Sequence, residues 1–383
     1  MVGALTAAVP DVLSPRMPTQ ACSVNVVTEY GEFVALEPEW NHAVERAGIA
    51  HPFLRHEWLR TWWECFGGGC RLHLVVVRTD GRIAAIAPLL CDTTHSYGMS
   101  FRRVRLLQND HTPRADFIIA EQPDVCYRAI WNALFERRDL WDVLQLNQIP
   151  EGSPTLDRMS SLAAARGCLT GLWQSDDAPY LQLAGNWDEY YDGLSAKFRQ
   201  NLRNRLSRLT RIGEPVFETV CDAAALPSAL EDAFRLEASG WKAQEGTAID
   251  ADPAVRRFYE TLARRAAEQG WLRLLFLSAN GNRLAAAYGA AYENTLFLIK
   301  TGYDPAYAQC SPFKLLTYYA VKNAYAEGLT TLDFLGAAEP WKLEWTPTAG
   351  GHRWLFVFGD THKARLLHRA KFRVAPALKR WSA

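Results

Sequence analysis

The residues of this chain with the clearest capacity for chemistry sit where a strand passes into a helix. Leu296–Ile299 is an apolar run of strand-forming types, and the loop after it ends in Ser311-Pro312, an N-cap residue followed by proline at the first helical position. A helix starting there leaves its first N–H groups, from Phe313 and Lys314 onward, without intrahelical partners at the positive end of the helix dipole. Such a terminus suits a pyrophosphate or similar anion. Ala308, Gln309, Cys310, Ser311, Phe313 and Lys314 are therefore the candidate anion-binding positions. The same half of the chain holds groups able to move a proton: Glu237 in LEASGWK, Asp333 in DFLG, His352, and Tyr303 and Tyr307 flanking Asp304-Pro305. Lys342 is a cation able to offset developing negative charge. Each also has a plainer reading: a helix-face carboxylate paired with Arg235 or Lys242 for Glu237, an acceptor for loop N–H groups for Asp333, a surface lysine, a core-edge tyrosine, a packed histidine.

Two further groupings accompany this segment. Over Ser195–Gly213, Phe198, Leu202, Leu206 and Leu209 recur at helical spacing as a core stripe, with Ser195 as N-cap and Gly213 as the stop. The other faces carry Lys197, Arg199, Arg203, Arg205, Arg208 and Arg211 and no acid. A solvated face usually mixes signs to gain i,i+4 pairs, so this one points to a polyanionic neighbour, or else to acidic patches elsewhere in the fold. In the first half, Asn109, Asp110, His111, Arg114 and Asp116 crowd one loop. They read either as a grip for a sugar or amino-acid head or as turn chemistry, and the spacing from His111 to Asp116 is not a metal signature.

The elements that position these residues come in two sets. LHLVVVRTDGRIAAIAPLL (72–90) and LRLLFLSANGNRLAAAYGA (272–290) match at an offset of 200 positions, each a strand, an Asp-Gly or Asn-Gly turn and a second strand. A further strand, a helix (about 123–137 and 312–327) and a strand (141–146 and 330–335) are predicted after each hairpin. A chain of 383 residues, 49% hydrophobic and 22% charged, has room for two such units. Lys+Arg 42 against Asp+Glu 42 leaves no global field toward nucleic acid, so any polyanion site is local. The eight cysteines show no paired or metal-ligand spacing, which fits reduced thiols in a cytoplasmic protein. Residues 1–20 lack a basic start, are broken by Pro10 and read as a disordered leader, and no apolar run approaches the ~20 residues of a membrane span. Residues 361–383 form a basic tail with interspersed Leu, Phe and Trp, open to packing on the fold or to peripheral contact with the anionic surface of the inner membrane.

The strings SAKFRQNLRNRLSRL (195–209), LEASGWKAQEGTAI (236–249), KTGYDPAYAQCSP (300–312) and DFLG through WKLEW (333–345) resemble the CelD/BcsL-like acetyltransferases. These are a cellulose-biosynthesis branch of the GCN5-related N-acetyltransferase (GNAT) superfamily, similar to the Fem-type aminoacyl-tRNA transferases. The chain departs from the superfamily's usually glycine-rich loop, with Phe313 where related sequences tend to carry glycine. The resemblance implies an α/β (α+β) fold of tandem GNAT-like domains, each a mixed, mostly antiparallel sheet flanked by helices. It places a domain without a donor site at 21–180 and a donor-binding domain at 181–360. It implies an acyl-CoA-dependent N-acyltransferase that takes acetyl-CoA or another acyl-CoA, needs no metal and acts on an amine-bearing small molecule, sugar or amino acid, in exopolysaccharide, envelope or specialised metabolism. In that scheme the 308–314 loop holds the CoA pyrophosphate, Glu237 is the base beside Trp241 and Lys242 in an acceptor loop, Lys342 offsets charge, Asp333 faces the donor loop and Tyr303 protonates the leaving thiolate. Arg203, Asn109, His111, Arg114 and His352 are expected to contact substrate. Two alternatives stay open: a Fem-like transferase using charged tRNA, the one nucleic acid expected, and a non-catalytic accessory protein of polysaccharide synthesis.

Overall fold

The structure, a computed structural model, describes residues 22–239 and 248–375. The expected leader, Trp241 and Lys242, and the end of the basic tail lie outside the described residues.

Both predicted hairpins form, with Asp80 and Gly81 at φ 51° and 78° and Asn280 and Gly281 at φ 49° and 75°. Positive φ at both central residues gives the primed turn whose twist matches that of the strands, which is why these sequences close there. The first sheet runs β1 (Cys22–Val27), β2 (Arg71–Thr79), β3 (Arg82–Ser96), β4 (Met99–Leu106), β6 (Val143–Pro150), β15 (His352–Phe358), β7 (Leu169–Gln174), with β5 (Ile118–Ile119) beside β3. The second runs β14 (Ala349–Gly350), β8 (Ala178–Gln182), β13 (Thr331–Asp333), β12 (Thr295–Tyr303), β11 (Asn282–Tyr292), β10 (Leu272–Ala279), β9 (Val216–Val220). Pairing is antiparallel except at β4–β6 and β12–β13, so both sheets are mixed and mostly antiparallel.

The duplication extends to side-chain faces. Leu72, Leu74 and Val76 point into one core with Leu272, Leu274 and Phe276, while Val75 and Val77, like Leu275 and Leu277, point to the opposite faces. A register shift lies between Val77 and Arg78 and again between Leu277 and Ser278. The helices are α1 (Tyr30–Ala35), α2 (Glu37–Arg46), α3 (His56–Phe66), α4 (Pro123–Glu136), α5 (Pro154–Ala165), α6 (Trp187–Gly193), α7 (Ala196–Thr210), α8 (Leu226–Glu237), α9 (Pro253–Glu268), α10 (Pro312–Ala326), α11 (Pro340–Leu343) and α12 (His362–Arg369). Helices α2, α3, α8 and α9 share the central core between the sheets; α4 and α5 cover the outer face of the first sheet, α7 and α10 that of the second. Burying a two-faced sheet requires such layers on both sides.

The expected division at residue 180 does not follow the sheets. After β7 the chain crosses through Ser175–Asp177 into the second sheet as β8, and after β14 it returns through Gly351 to the first sheet as β15. The two crossings are tied together, since Ser175 N–H donates to His352 C=O at 2.9 Å and Glu151 N–H donates to Gly351 C=O at 2.9 Å. Strand exchange of this kind leaves no mark on local hydrophobic period, which reports faces and not partners. All eight cysteines are free thiols. Among the described residues no helix is long and apolar enough to cross a membrane, and no cluster of His, Cys, Asp or Glu has the geometry of a metal site.

Candidate active site

Strand β12 pairs with β13 over only Thr295–Phe297 opposite Thr331–Asp333. The pairing ends there because β13 turns away at Leu335, whose φ is 53°, while β12 continues to Tyr303. Against β11 the register jumps from Tyr288–Lys300 to Gly289–Leu298, so Ile299 is an extra, bulged residue that bends β12. The two parallel strands therefore open toward the loop Asp304–Ser311. Asp304 starts this loop by accepting the Ala306 N–H at 2.9 Å, residues 305–310 wind as a tight 3₁₀ turn, and Cys310 is buried beneath it.

Ser311 precedes α10 as expected, yet its side chain does not cap the helix. Its backbone is left-handed (φ 47°, ψ 64°), which aims Oγ away from the first turn, and Arg205 of α7 donates to that oxygen. Part of the expected anion cradle is also spoken for: Lys314 and Leu315 N–H both donate to Ser311 C=O (3.0 and 3.2 Å), and Ser311 N–H donates to Ala308 C=O at 2.9 Å. Arg208 adds a second contact from α7, donating to Gln309 C=O at 3.1 Å. The basic helix thus lies across the loop, its stripe of Phe198, Leu202 and Leu209 buried and Leu206 packed at its edge. Among the described residues Arg199 pairs with Asp192, whereas Lys197, Arg203, Arg205, Arg208 and Arg211 make no salt bridge. Arg205 Nε is buried without a hydrogen-bond partner among the described residues. Arg203 faces solvent and donates to Gln200 within its own helix.

The Phe313 ring stands edge-on to Trp341 at 4.9 Å. Lys314 pairs with Glu344 and lies 5.3 Å over the Phe198 ring.

On the central-core side of β12, Glu237 ends α8 and is buried, with Oε2 accepting the Ile249 N–H at 2.9 Å. Helix and strand touch backbone to backbone: a Cβ on Gly302 would meet Leu236 O at 2.3 Å and Glu237 Cα at 2.4 Å. Only glycine permits that approach. Glu237 shares a small cavity with Tyr288, Lys300 and Thr301, and Tyr303 sits exposed at the strand's end.

The structure unites three residues that sequence reasoning named one by one. Arg114, in the loop after β4, pairs with the buried carboxylate of Asp333 and donates from Nε to His352 Nε2 at 3.3 Å. Asp333 Oδ1 also accepts the Leu335 N–H at 2.9 Å. A guanidinium only donates, so the Nε2 lone pair of His352 is occupied and its proton sits on Nδ1. Burial first, then Arg114, lowers the His352 pKa, keeping the ring neutral at pH 7. His51, which sequence reasoning passed over, joins this junction. Burial, with Arg114 and His352 nearby, pushes its pKa down to about 3, and its Nδ1 is buried without a hydrogen-bond partner among the described residues. Nothing in its local sequence marks it.

Other expectations change. Lys342 is buried, and its ammonium donates to Leu335 C=O (2.8 Å) and Ala337 C=O (2.9 Å) and pairs with Glu339 at 3.1 Å. Three acceptors use its three protons, so it staples the 335–339 turn and has none left for an oxyanion. Asn109 accepts the His111 N–H at 3.1 Å, which is turn chemistry. His111 itself turns into the central core, stacked on Phe66 at 5.6 Å with Nδ1 3.2 Å from Tyr259 Oη. The loop cluster is therefore divided, and Arg114 is its one member at the Asp333 junction.

Residues 196–343 match the acetyltransferase (GNAT) domain. That stretch begins with the basic helix and ends with the Lys342 staple, so it contains the loop, both open strands, Glu237 and Asp333. Among solved structures the chain is similar to FemX (12% identity, 88% of this chain and 98% of that one, TM-score 0.57). It is also similar to the C-terminal domain of a putative lysylphosphatidylglycerol synthetase from Agrobacterium fabrum (14% identity, 89% and 96%, TM-score 0.52). At these identities the likeness is one of fold. No curated protein sequence is significantly similar to the chain.

Proposed function

We propose that the chain is an acyl-CoA-dependent N-acyltransferase whose donor lies in the opening between β12 and β13, its pyrophosphate at the 308–314 loop, and whose amine acceptor enters from the central-core side. The observation that carries this reading is the placement of Arg205 and Arg208 on the loop of the GNAT-matching segment. Two guanidinium groups with no acid partner among the described residues supply charge-assisted donors where several loop N–H groups are already used. Glu237 is the proposed base, because it borders the strand on the acceptor side while Asp333 is held by Arg114 and the lone pair of His352 is taken. The amine loses its proton toward Glu237 as it attacks the acyl carbon, the thiolate leaves, and Tyr303 supplies its proton. Lys342 acts by holding the turn after β13. The division of labour follows the two sheets, the second carrying the donor and the first closing the acceptor side, in cytoplasm or at a membrane surface that the basic tail touches.

One observation favours a larger donor. Lys197, Arg203 and Arg211, which make no salt bridge among the described residues, extend the charge of α7 beyond the loop, a track that suits charged tRNA, and FemX shares the fold. A thermal-shift series with acetyl-CoA, longer acyl-CoAs, free CoA and aminoacyl-tRNA separates the readings, since a ligand binding only the folded state raises apparent stability. A rise with an acyl-CoA supports the proposal; a rise with aminoacyl-tRNA alone replaces it.

A further inference from the structure

A cavity of about 250 Å³ lies on the first sheet, bounded by the β3–β4 hairpin, β6, β15 and the segment after α12. Its lining runs from the β3–β4 turn at Ser96 and Tyr97 to the parallel contact of β4 with β6, where Arg103 pairs with Val143. The segment after α12 is fixed by Phe372, whose ring rests on Gly171; a Cβ there would come within 2.3 Å of it. Phe372 also packs against Trp173 and Phe358 (6.0 and 6.1 Å), and this seating holds the Lys371 ammonium 3.5 Å from the Trp173 ring centroid and 4.1 Å from that of Phe356.

The charges around the cavity do not balance. Arg103 is committed to Asp92 (2.7 Å), and the same carboxylate receives Arg105 (2.8 Å), so one acid serves two guanidinium groups. Among the described residues Lys371 has no acid partner; burial, then the like charge of Arg103, lowers its pKa to about 8. A half-buried ammonium resting on ring faces is costly, and an anion in the cavity would offset both its burial and the repulsion. Phe101, Val143, Phe356 and Phe358 line it, together with the polar side chains of Thr94, His95 and Gln145. That lining suits a flat apolar body carrying one anionic group. We propose that this cavity is a binding site for a small aromatic or similarly flat organic anion, a carboxylate or a phosphate ester, with Lys371 as its charge partner. The site belongs to the first sheet and rests on no assumption about the donor loop.

The test is calorimetric titration of the full chain with benzoate, phenyl phosphate and the neutral isostere benzamide. One of the two anions saturates a single site, and benzamide binds at least about tenfold more weakly, the worth of one charge-assisted contact. Which anion binds more tightly distinguishes a carboxylate from a phosphate ester. Lys371→Met, which keeps the apolar stem on Trp173, lowers anion affinity at least about tenfold, while Lys371→Arg stays within about threefold because the charge and ring contact persist. Benzamide binding as well as the anions, no saturable binding of either anion, or wild-type affinity in Lys371→Met each overturns the assignment. The benzamide comparison uses the unaltered chain and so does not depend on any variant folding.

Discussion

Two side chains define the account most sharply. Glu237 is placed to take the acceptor's proton, so Glu237→Gln is expected to lose roughly 10²–10⁴-fold in turnover with most of it recovered at high pH, where the amine deprotonates unaided. Turnover within about threefold of the parent at neutral pH, where a general base is worth far more, would remove it from the mechanism. Asp333 makes a different prediction. It and Arg114 are 4% and 17% exposed and joined across the sheets, so Arg114→Ala leaves a buried carboxylate unpaired and should cost roughly 3–5 kcal/mol in urea unfolding. The double variant Arg114→Ala with Asp333→Asn should cost less than the two single losses combined, and simple additivity would show that the pair does not couple. The residue types were legible in the sequence. Their company was not, because Arg114 and Asp333 are 219 positions apart and Arg114 and His352 are 238 apart.

Helix α7, the 304–311 loop and the turn stapled by Lys342 carry the site as elements. The basic face of α7 and the strand-to-helix passage at Ser311-Pro312 could be read from residue spacing, since both are local patterns. The left-handed Ser311 could not: serine before proline is also the common N-cap pattern, and here the preceding 3₁₀ turn sets the backbone instead. Lys342 looked like a catalytic cation because the sequence shows its charge but not the carbonyls of Leu335 and Ala337 folding back onto it. Replacing it by methionine should therefore lower the melting temperature by leaving those carbonyls without a donor, a cost of about 1–3 kcal/mol for each one that stays buried. Unchanged melting with abolished turnover would return Lys342 to the chemistry.

At the scale of the whole molecule, the repeated hairpins announced two sheets, and their shared face pattern explains why both halves bury the same positions. The return of β15 to the first sheet was invisible because strand period does not name partners. The central core between the sheets imposes a pH dependence. Burial lowers the pKa of His111 from 6.5 to about 4 and that of His51 to about 3, so between about pH 6.5 and 4 the unfolded chain binds more protons and stability falls as pH falls. Asp116, raised by burial from 3.8 to about 6, acts in the opposite sense over that lower range. The urea midpoint of His111→Gln should accordingly vary less steeply from pH 6.5 to 4 than that of the parent, and equal slopes would show that His111 is not held neutral. The central claim is that α7 and the 308–314 loop form one anion site, and acetyl-CoA titrated calorimetrically into the parent and into Arg205→Ala with Arg208→Ala tests it most directly. Loss of two charge-assisted donors predicts saturable binding to the parent, a dissociation constant raised at least about tenfold in the variant, and a weaker salt dependence there, with the melting curve preserved. Equal affinity in the two proteins at every ionic strength, or no binding of acyl-CoA to the parent, would contradict it.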